Sequence, residues 1–454
     1  MGKILPNYTS TTNACKLCRP LGACLAFRGV EGTVPFLHGS QGCATYMRRY
    51  IISHFNEPID IASSSLGEKN AIYGGGANLK QGLKNVTAKY RPALIGIATT
   101  CLTETIGDDV AMILAEYKRE AGVVSVLPAM VRVATPSYSG THMEGFHGAV
   151  RALVAQLAEV TAEPNARVNL LPGLLSPADL RYLKEVSEDF GLDCTLLPDI
   201  SDTLDGPALS DYPLIPKGGT PLAAIRAMGG GRATIEFGRT LGEQEGGGPL
   251  LSERFKIPLH RLGVPIGLRE SDALFALLVE LSGRSAPARY LAARGRLIDS
   301  LVDGHKYLFG KKAVVYGEED LVVGLTAFLA EIGVRPVLCA SGGRSGRLAS
   351  AIGAVIGDLP VPMPEVREDV DFQDIEDLAV SLAPDLLIGH SKGYAMARRA
   401  GIPLVRVGFP IHDRLGGQRI LHLGYHGAQQ LFDVIVNTII AKKQDDSSVG
   451  YSYM

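Results

Sequence analysis

The sequence has no surplus of charge of either sign: 45 Lys and Arg face 47 Asp and Glu, a net charge of −2. A dedicated nucleic-acid binder needs a basic excess to neutralise phosphates, so that class is set aside. Uncharged apolar runs of about 18 residues are missing too, which excludes a spanning helix. The N-terminal stretch MGKILPNYTSTTNACKLCRP lacks the basic start, apolar run and small-residue cleavage site of a secretory signal. It also lacks the Ser or Thr at position six that myristoylation requires. These absences together predict a cytoplasmic protein, in which the sequon Asn85-Val86-Thr87 has no consequence. Cysteine is scarce and odd in number, seven in all, so the cysteines cannot all pair within the chain. A chain of 454 residues needs no disulfide staples, and reduced thiols suit metal–thiolate chemistry.

What is present is a globular composition: 46% hydrophobic, 20% charged, with 53 Gly and 26 Pro. The length suits about three domains. Short apolar runs, each closed by a Gly, Ser or Thr turn and followed by an amphipathic stretch, recur along the chain. Runs at 93–98, 167–171, 312–316, 335–339, 385–389 and 403–407 read as buried strands, and 108–121 and 318–332 as helices. Ser176-Pro177-Ala178-Asp179 reads as a helix start. The loop 201–221 and the glycine-rich stretch 226–250 read as surface connections, and the chain from Lys442 onward as a frayed or docked end. Strands alternating with helices predict α/β architecture: doubly wound parallel sheets in three domains, 1–165, 166–295 and 296–454. Ligands in such sheets sit at the carboxyl ends of strands, where Cys101, His390 and the Gly408-Phe409-Pro410 turn fall.

Five of the cysteines lie in the first 101 residues: Cys15, Cys18, Cys24, Cys43 and Cys101. The spacing Cys15-x2-Cys18-x5-Cys24 matches no ferredoxin run, and no second CxxC or HxxxH completes a zinc site. Cys18, Cys43 and Cys101 stand out by their flanks, at glycine-bearing turns or at a strand end. There backbone can approach a cluster closely and N–H groups can bond its sulfides. Three thiolates leave a four-ligand cluster open, so further ligands must come from elsewhere, most simply another chain. Small buried residues packing under glycine turns are the competing reading, and spacing alone leaves both open. Cys194 and Cys339 have no flanking motif and read as buried thiols. His390 and His412 read as structural histidines.

Several segments resemble the β-type subunit of the nitrogenase component 1 family. They are Cys18-Arg-Pro-Leu-Gly-Ala, His38-Gly-Ser-Gln-Gly-Cys43, Ser53-His54-Phe55-x-Glu57-Pro58, Ser63-Ser64-Ser65 and Thr99-Thr100-Cys101-x-x-Glu104-x-Ile106-Gly107-Asp108-Asp109. Thr135-Pro136-Ser137-Tyr138-x-Gly140-Thr141-His142 and Val407-Gly408-Phe409-Pro410-Ile411-x-Asp413-Arg414 join them. The resemblance is dense over 1–150 and 385–440. It implies three Rossmann-like α/β domains and an α2β2 heterotetramer with an α-like partner. It also implies an interfacial [8Fe–7S] P-cluster, with [4Fe–4S] as the alternative, to which Cys18, Cys43 and Cys101 contribute this chain's ligands. Ser137 matches a serine that ligates iron in some oxidised clusters; its ordinary reading is a turn serine. Tyr46 matches a tyrosine beside the cluster. Electrons would arrive from an ATP-dependent homodimeric iron–sulfur reductase and pass to a catalytic cluster on the partner. Gly74-Gly75-Gly76 and Ser341-Gly342-Gly343 complete no nucleotide loop, which leaves ATP to that reductase.

Within the family, the first matching cysteine comes early, at position 18, without the long N-terminal arm of molybdenum nitrogenase β chains. Loss of that arm is also a feature of the cofactor-maturation scaffold, but retention of all three β-type cysteines favours a working reductase, and methylthio-alkane reductase, which cleaves thioethers to methanethiol and small hydrocarbons, is the leading expectation. The cofactor-maturation scaffold and a true nitrogenase β subunit are the alternatives. A cluster-free interaction subunit is the reading from a different class.

Overall fold

Three parallel sheets carry the chain in a computed structural model that describes residues 13–122, 127–161 and 164–450. The first contains β1 (Thr33–His38), β2 (Ala62–Ser63), β3 (Leu94–Thr99) and β4 (Ala129–Val133), in the order β2-β1-β3-β4. The second contains β5 (Val168–Leu171), β6 (Cys194–Leu196), β7 (Ala233–Phe237) and β8 (Leu259–Leu262), in the order β6-β5-β7-β8. The third contains β9 (Lys312–Tyr316), β10 (Arg335–Ala340), β11 (Glu365–Arg367), β12 (Leu386–Gly389) and β13 (Leu404–Arg406), in the order β11-β10-β9-β12-β13. In each sheet the chain starts near the centre, winds to one side, then crosses back to the other. Each sheet therefore has a switch point, between β1 and β3, β5 and β7, or β9 and β12, where a crevice opens at the carboxyl ends. The expected α/β class with doubly wound parallel sheets is what forms.

The helices that matter for the first sheet are α1 (Arg19–Arg28), α2 (Gln41–Phe55), α3 (Asn70–Tyr73), α4 (Gly76–Tyr90), α5 (Cys101–Ile106), α6 (Val110–Ala121) and α7 (His142–Leu157). Leu79 and Leu83 of α4 and Ile113 and Leu114 of α6 cover one face of β1 and β3. Leu21 and Leu25 of α1 and Phe146 and Leu153 of α7 belong to the core on the other face. Both faces are buried, which is why Leu94–Thr99 reads as an unbroken apolar run rather than an alternating one. In the second block α8 (Pro177–Asp189) opens as its sequence predicts. The Ser176 hydroxyl accepts the Asp179 N–H, and the Asp179 carboxylate accepts from the Ser176 backbone.

Two expectations are corrected. The stretch 226–250 is no surface connection: it contains β7, buried along its whole length and central in the second sheet. Thr234 and Glu236 interrupt its apolar pattern, and glycine triplets flank it, so its strand character is masked. The buried Glu236 carboxylate is satisfied by the Gly248 N–H at 2.9 Å and by Arg261 at 3.3 Å. The end from Lys442 is not frayed at that point either. The last helix, Gly424–Asp446, runs on through it and packs on Ala288–Leu308.

Candidate iron–sulfur site at the first switch point

β1 and β3 pair in register, His38 opposite Thr99, so both strands end at the same level. β1 runs into His38-Gly39-Ser40, with the Ser40 hydroxyl capping α2, and Cys43 lies in that helix's first turn. β3 runs into Thr99-Thr100, and Cys101 is the first residue of α5. Cys43 and Cys101 therefore flank one crevice because the two strands do. Cys18 arrives from outside the sheet as the residue before α1, bridged to Thr141 before α7. α1 and α7 cross almost backbone to backbone. A Cβ on Gly22 would lie 1.6 Å from the His142 carbonyl oxygen, and one on Gly145 would lie 1.8 Å from that of Arg19. Only glycine permits that approach, and the approach sets where Cys18 sits.

The three thiols are each half-buried. Burial pushes the Cys43 thiol above its ordinary value, and the neighbouring Cys18 and Cys101 sulfurs push it further. The three sulfurs thus lie within electrostatic reach of one another. They do not close on a point: among the described residues no group of three His, Cys, Asp or Glu is arranged to hold a single metal ion. Three thiols half open to the surface have the chemistry of ligands to a polynuclear iron–sulfur core. The donor set fits the iron–sulfur group the sequence implies. The Ser137 N–H donates to Cys101 Sγ at 3.2 Å, so this residue touches the site through its backbone. Tyr46, 45% exposed, packs on Tyr50 with ring centroids 4.8 Å apart; burial, Tyr50 and then Cys18 raise its pKa.

A buried polar clamp holds the crevice, and sequence reasoning assigned it no role. His38 Nε2 meets Asp108 Oδ2 at 3.0 Å, and His38 Nδ1 meets Ser64 Oγ at 2.9 Å. The carboxylate only accepts, so Nε2 carries the proton and Ser64 donates to Nδ1. Ser64 Oγ in turn accepts the Gly39 N–H at 2.9 Å. The trio has the composition of a hydrolytic triad, but Ser64 is buried and committed to this turn, so it is no nucleophile. The His38 carbonyl accepts from Thr100 N at 3.1 Å and Thr103 Oγ1 at 2.9 Å. The turn bearing Cys43 and the turn bearing Cys101 are thereby tied to one histidine. His38, Ser64 and Asp108 all lie in the motifs quoted above, which was the available signal.

The N-terminal segment is anchored by another buried histidine. Leu17 N–H donates to His142 Nδ1 at 3.4 Å, leaving Nε2–H for Glu318 Oε1 at 3.0 Å. Of the remaining cysteines, burial pushes Cys15 and Cys339 up to about 12 and raises Cys24 and Cys194 as well. These four are protonated, unreactive thiols at neutral pH. Cys15 Sγ does meet His390 Nε2, at 4.0 Å, a cysteine–histidine contact the sequence did not reveal. Both side chains are buried, and the contact is one of packing. His412 is exposed, and its backbone N–H donates to Ser391.

Residues 18–440 match the family model described as nitrogenase component 1 type oxidoreductase. The chain belongs to the nitrogenase component 1 family. Within it this is a β-type subunit of an oxidoreductase. A relative from Clostridium pasteurianum named nitrogenase molybdenum-iron protein beta chain is 35% identical over 95% of this chain and 93% of the relative. The protein of the same name from Azotobacter vinelandii is 33% identical over 96% of this chain and 86% of its own length. Among solved structures, one described as nitrogenase Cp1 at pH 6.5 superposes with a TM-score of 0.94 at 33% identity, covering 100% of this chain and 98% of that one. A second, nitrogenase Cp1 at pH 5, reaches 0.72 at 16% identity over 99% of this chain and 94% of its own, a likeness of fold alone. No helix among the described residues is long and apolar enough to cross a membrane.

Proposed function

We propose that this nitrogenase-family chain forms the β half of an α2β2 reductase, with Cys18, Cys43 and Cys101 supplying its ligands to an interfacial cluster of the [8Fe–7S] type. The observation that carries the reading is that Cys18 and Cys101 both act on the half-buried Cys43 thiol, while among the described residues no group of His, Cys, Asp or Glu completes a metal site. The surface near them carries Tyr46, Ile72, Tyr73 and Tyr138, 45%, 79%, 84% and 62% exposed, the kind of rim an α-type partner would cover. When bound, the cluster supplies one-electron transfer between an ATP-dependent iron–sulfur reductase and a catalytic cluster on the partner. The protein's part is to hold and tune. Cys18, Cys43 and Cys101 bind iron as thiolates. The Ser137 N–H bonds one ligand sulfur, and the His38–Ser64–Asp108 clamp fixes the turns that bear two of them.

Dinitrogen reduction is the activity that the relatives' names support. They are nitrogenase β chains, matched over 93% of the length of the Clostridium relative and 86% of the Azotobacter one. The relatives' names support neither the thioether cleavage nor the maturation role expected from the sequence. The test is to purify the Cys43→Ala complex with its α-type partner and count iron per α/β pair. A clear drop against the parent is expected, and unchanged iron would refute the site. The parent complex with its reductase should evolve ammonia from dinitrogen. Methanethiol from 2-methylthioethanol, with no ammonia, would return the assignment to thioether reduction.

A further inference from the structure

Lys392 sits at the carboxyl end of β12, directly after the switch point of the third sheet, and folds under the N-terminal segment that carries Cys18. Its Nζ donates to the Lys16 carbonyl at 3.5 Å, and its own carbonyl accepts from Asn13 Nδ2 at 3.0 Å. The ammonium is half-buried, and among the described residues it pairs with no carboxylate. That is unusual, because a lysine drawn out of water is ordinarily paired. Among the described residues, the groups whose negative charge would act on it are two sulfurs, Cys15 and Cys18, the second lying two residues beyond the Lys16 carbonyl that the ammonium bonds. Burial lowers its pKa, while those two thiols pull in the opposite direction. Cys15 is a buried, protonated thiol and offers no charge. Cys18 is the thiolate of the proposed cluster.

We propose that Lys392 is the counter-charge of the interfacial cluster on this chain: a positioning residue that stabilises the reduced state and so sets the cluster's potential. The inference rests on the cluster assignment above. Reduction would add one electron to the cluster, and the added negative charge would fall on a site that faces a fixed ammonium. In a partly buried setting that attraction is weakly screened.

The experiment uses the complete complex with its α-type partner, carrying Lys392→Gln, Lys392→Met or Lys392→Arg. Iron per α/β pair is counted, and the cluster's midpoint potential is read by redox titration with EPR detection. The two neutral variants should keep their iron and move to lower potential, by about 59 mV if the reduction equilibrium falls tenfold. Lys392→Arg should stay at the parent's potential. Loss of iron from both neutral variants with retention in Lys392→Arg would also support a counter-charge. An unmoved potential in iron-replete neutral variants overturns the proposal, as does iron loss from all three. A parent complex without cluster iron would instead refute the cluster assignment itself, so the two failures are distinct.

Discussion

At the scale of single residues, buried histidines do most of the organising. His38 ties the ends of β1 and β3, His142 ties the Cys18 segment to Glu318, and His54 accepts the Ile411 N–H at 2.8 Å. Burial pushes the His54 imidazole down to about 4, from an ordinary 6.5. The unfolded chain then binds a proton that the folded chain refuses. Stability contributed by this site is complete above about 6.5 and falls as the pH drops toward 4, by at most about 1.4 kcal/mol per unit. Thermal midpoints of the complex should accordingly decline across that window. His54→Asn keeps an acceptor for Ile411 but does not titrate, so its decline should be shallower. Parallel curves for parent and variant would contradict the assignment.

At the scale of elements, the decisive contact is the crossing of α1 and α7. Adding one methyl at Gly145 forces it against the Arg19 carbonyl, and backbone cannot yield as a side chain would. Gly145→Ala should cost at least about 1–3 kcal/mol and displace the start of α1, which carries Cys18. The expected signature is a lower melting temperature together with reduced iron per α/β pair, although no ligand is touched. Full iron in Gly145→Ala would show that Cys18 is positioned by something other than this crossing. β1 makes a related point. Pro35 lies inside a strand flanked on both sides, opposite Gly96. A central proline argues against a strand in sequence reasoning, and tertiary burial on both faces overrides it here.

At the scale of the whole molecule, three switch points divide the labour. The first brings Cys43 and Cys101 together, while the third places Glu318 against His142 and Lys392 against the Lys16 carbonyl. Burial opposes the charge on Glu318, but the His142 hydrogen bond, the nearby His142 and His390 imidazoles and a backbone hydrogen bond together hold the carboxyl below its usual range. If the aromatic rim at α3 and Tyr138 is the partner face, amide exchange over 70–74 and 137–140 should slow on pairing with the α-type chain. Equal exchange rates in the paired and unpaired chain would place the partner elsewhere.

The sequence by itself determined the class of the fold, since strand and helix periods alternate and α8, β9 and β12 lie where apolar runs and caps predict. It determined the family as well, because the cysteine motifs are local strings with glycine neighbours. It marked Cys18, Cys43 and Cys101 as candidates through their turns, and from spacing alone could not separate them from packing cysteines. Only the tertiary structure decided that the three meet. Their convergence depends on strand order, on register and on two glycines that let α1 and α7 meet across more than a hundred residues, none of which is a local property. The same holds for β7, whose buried glutamate is satisfied by an arginine of the next strand, and for Lys392. A lysine in a sequence carries no sign of being buried; its isolation from carboxylates exists only once the third sheet folds beneath the first.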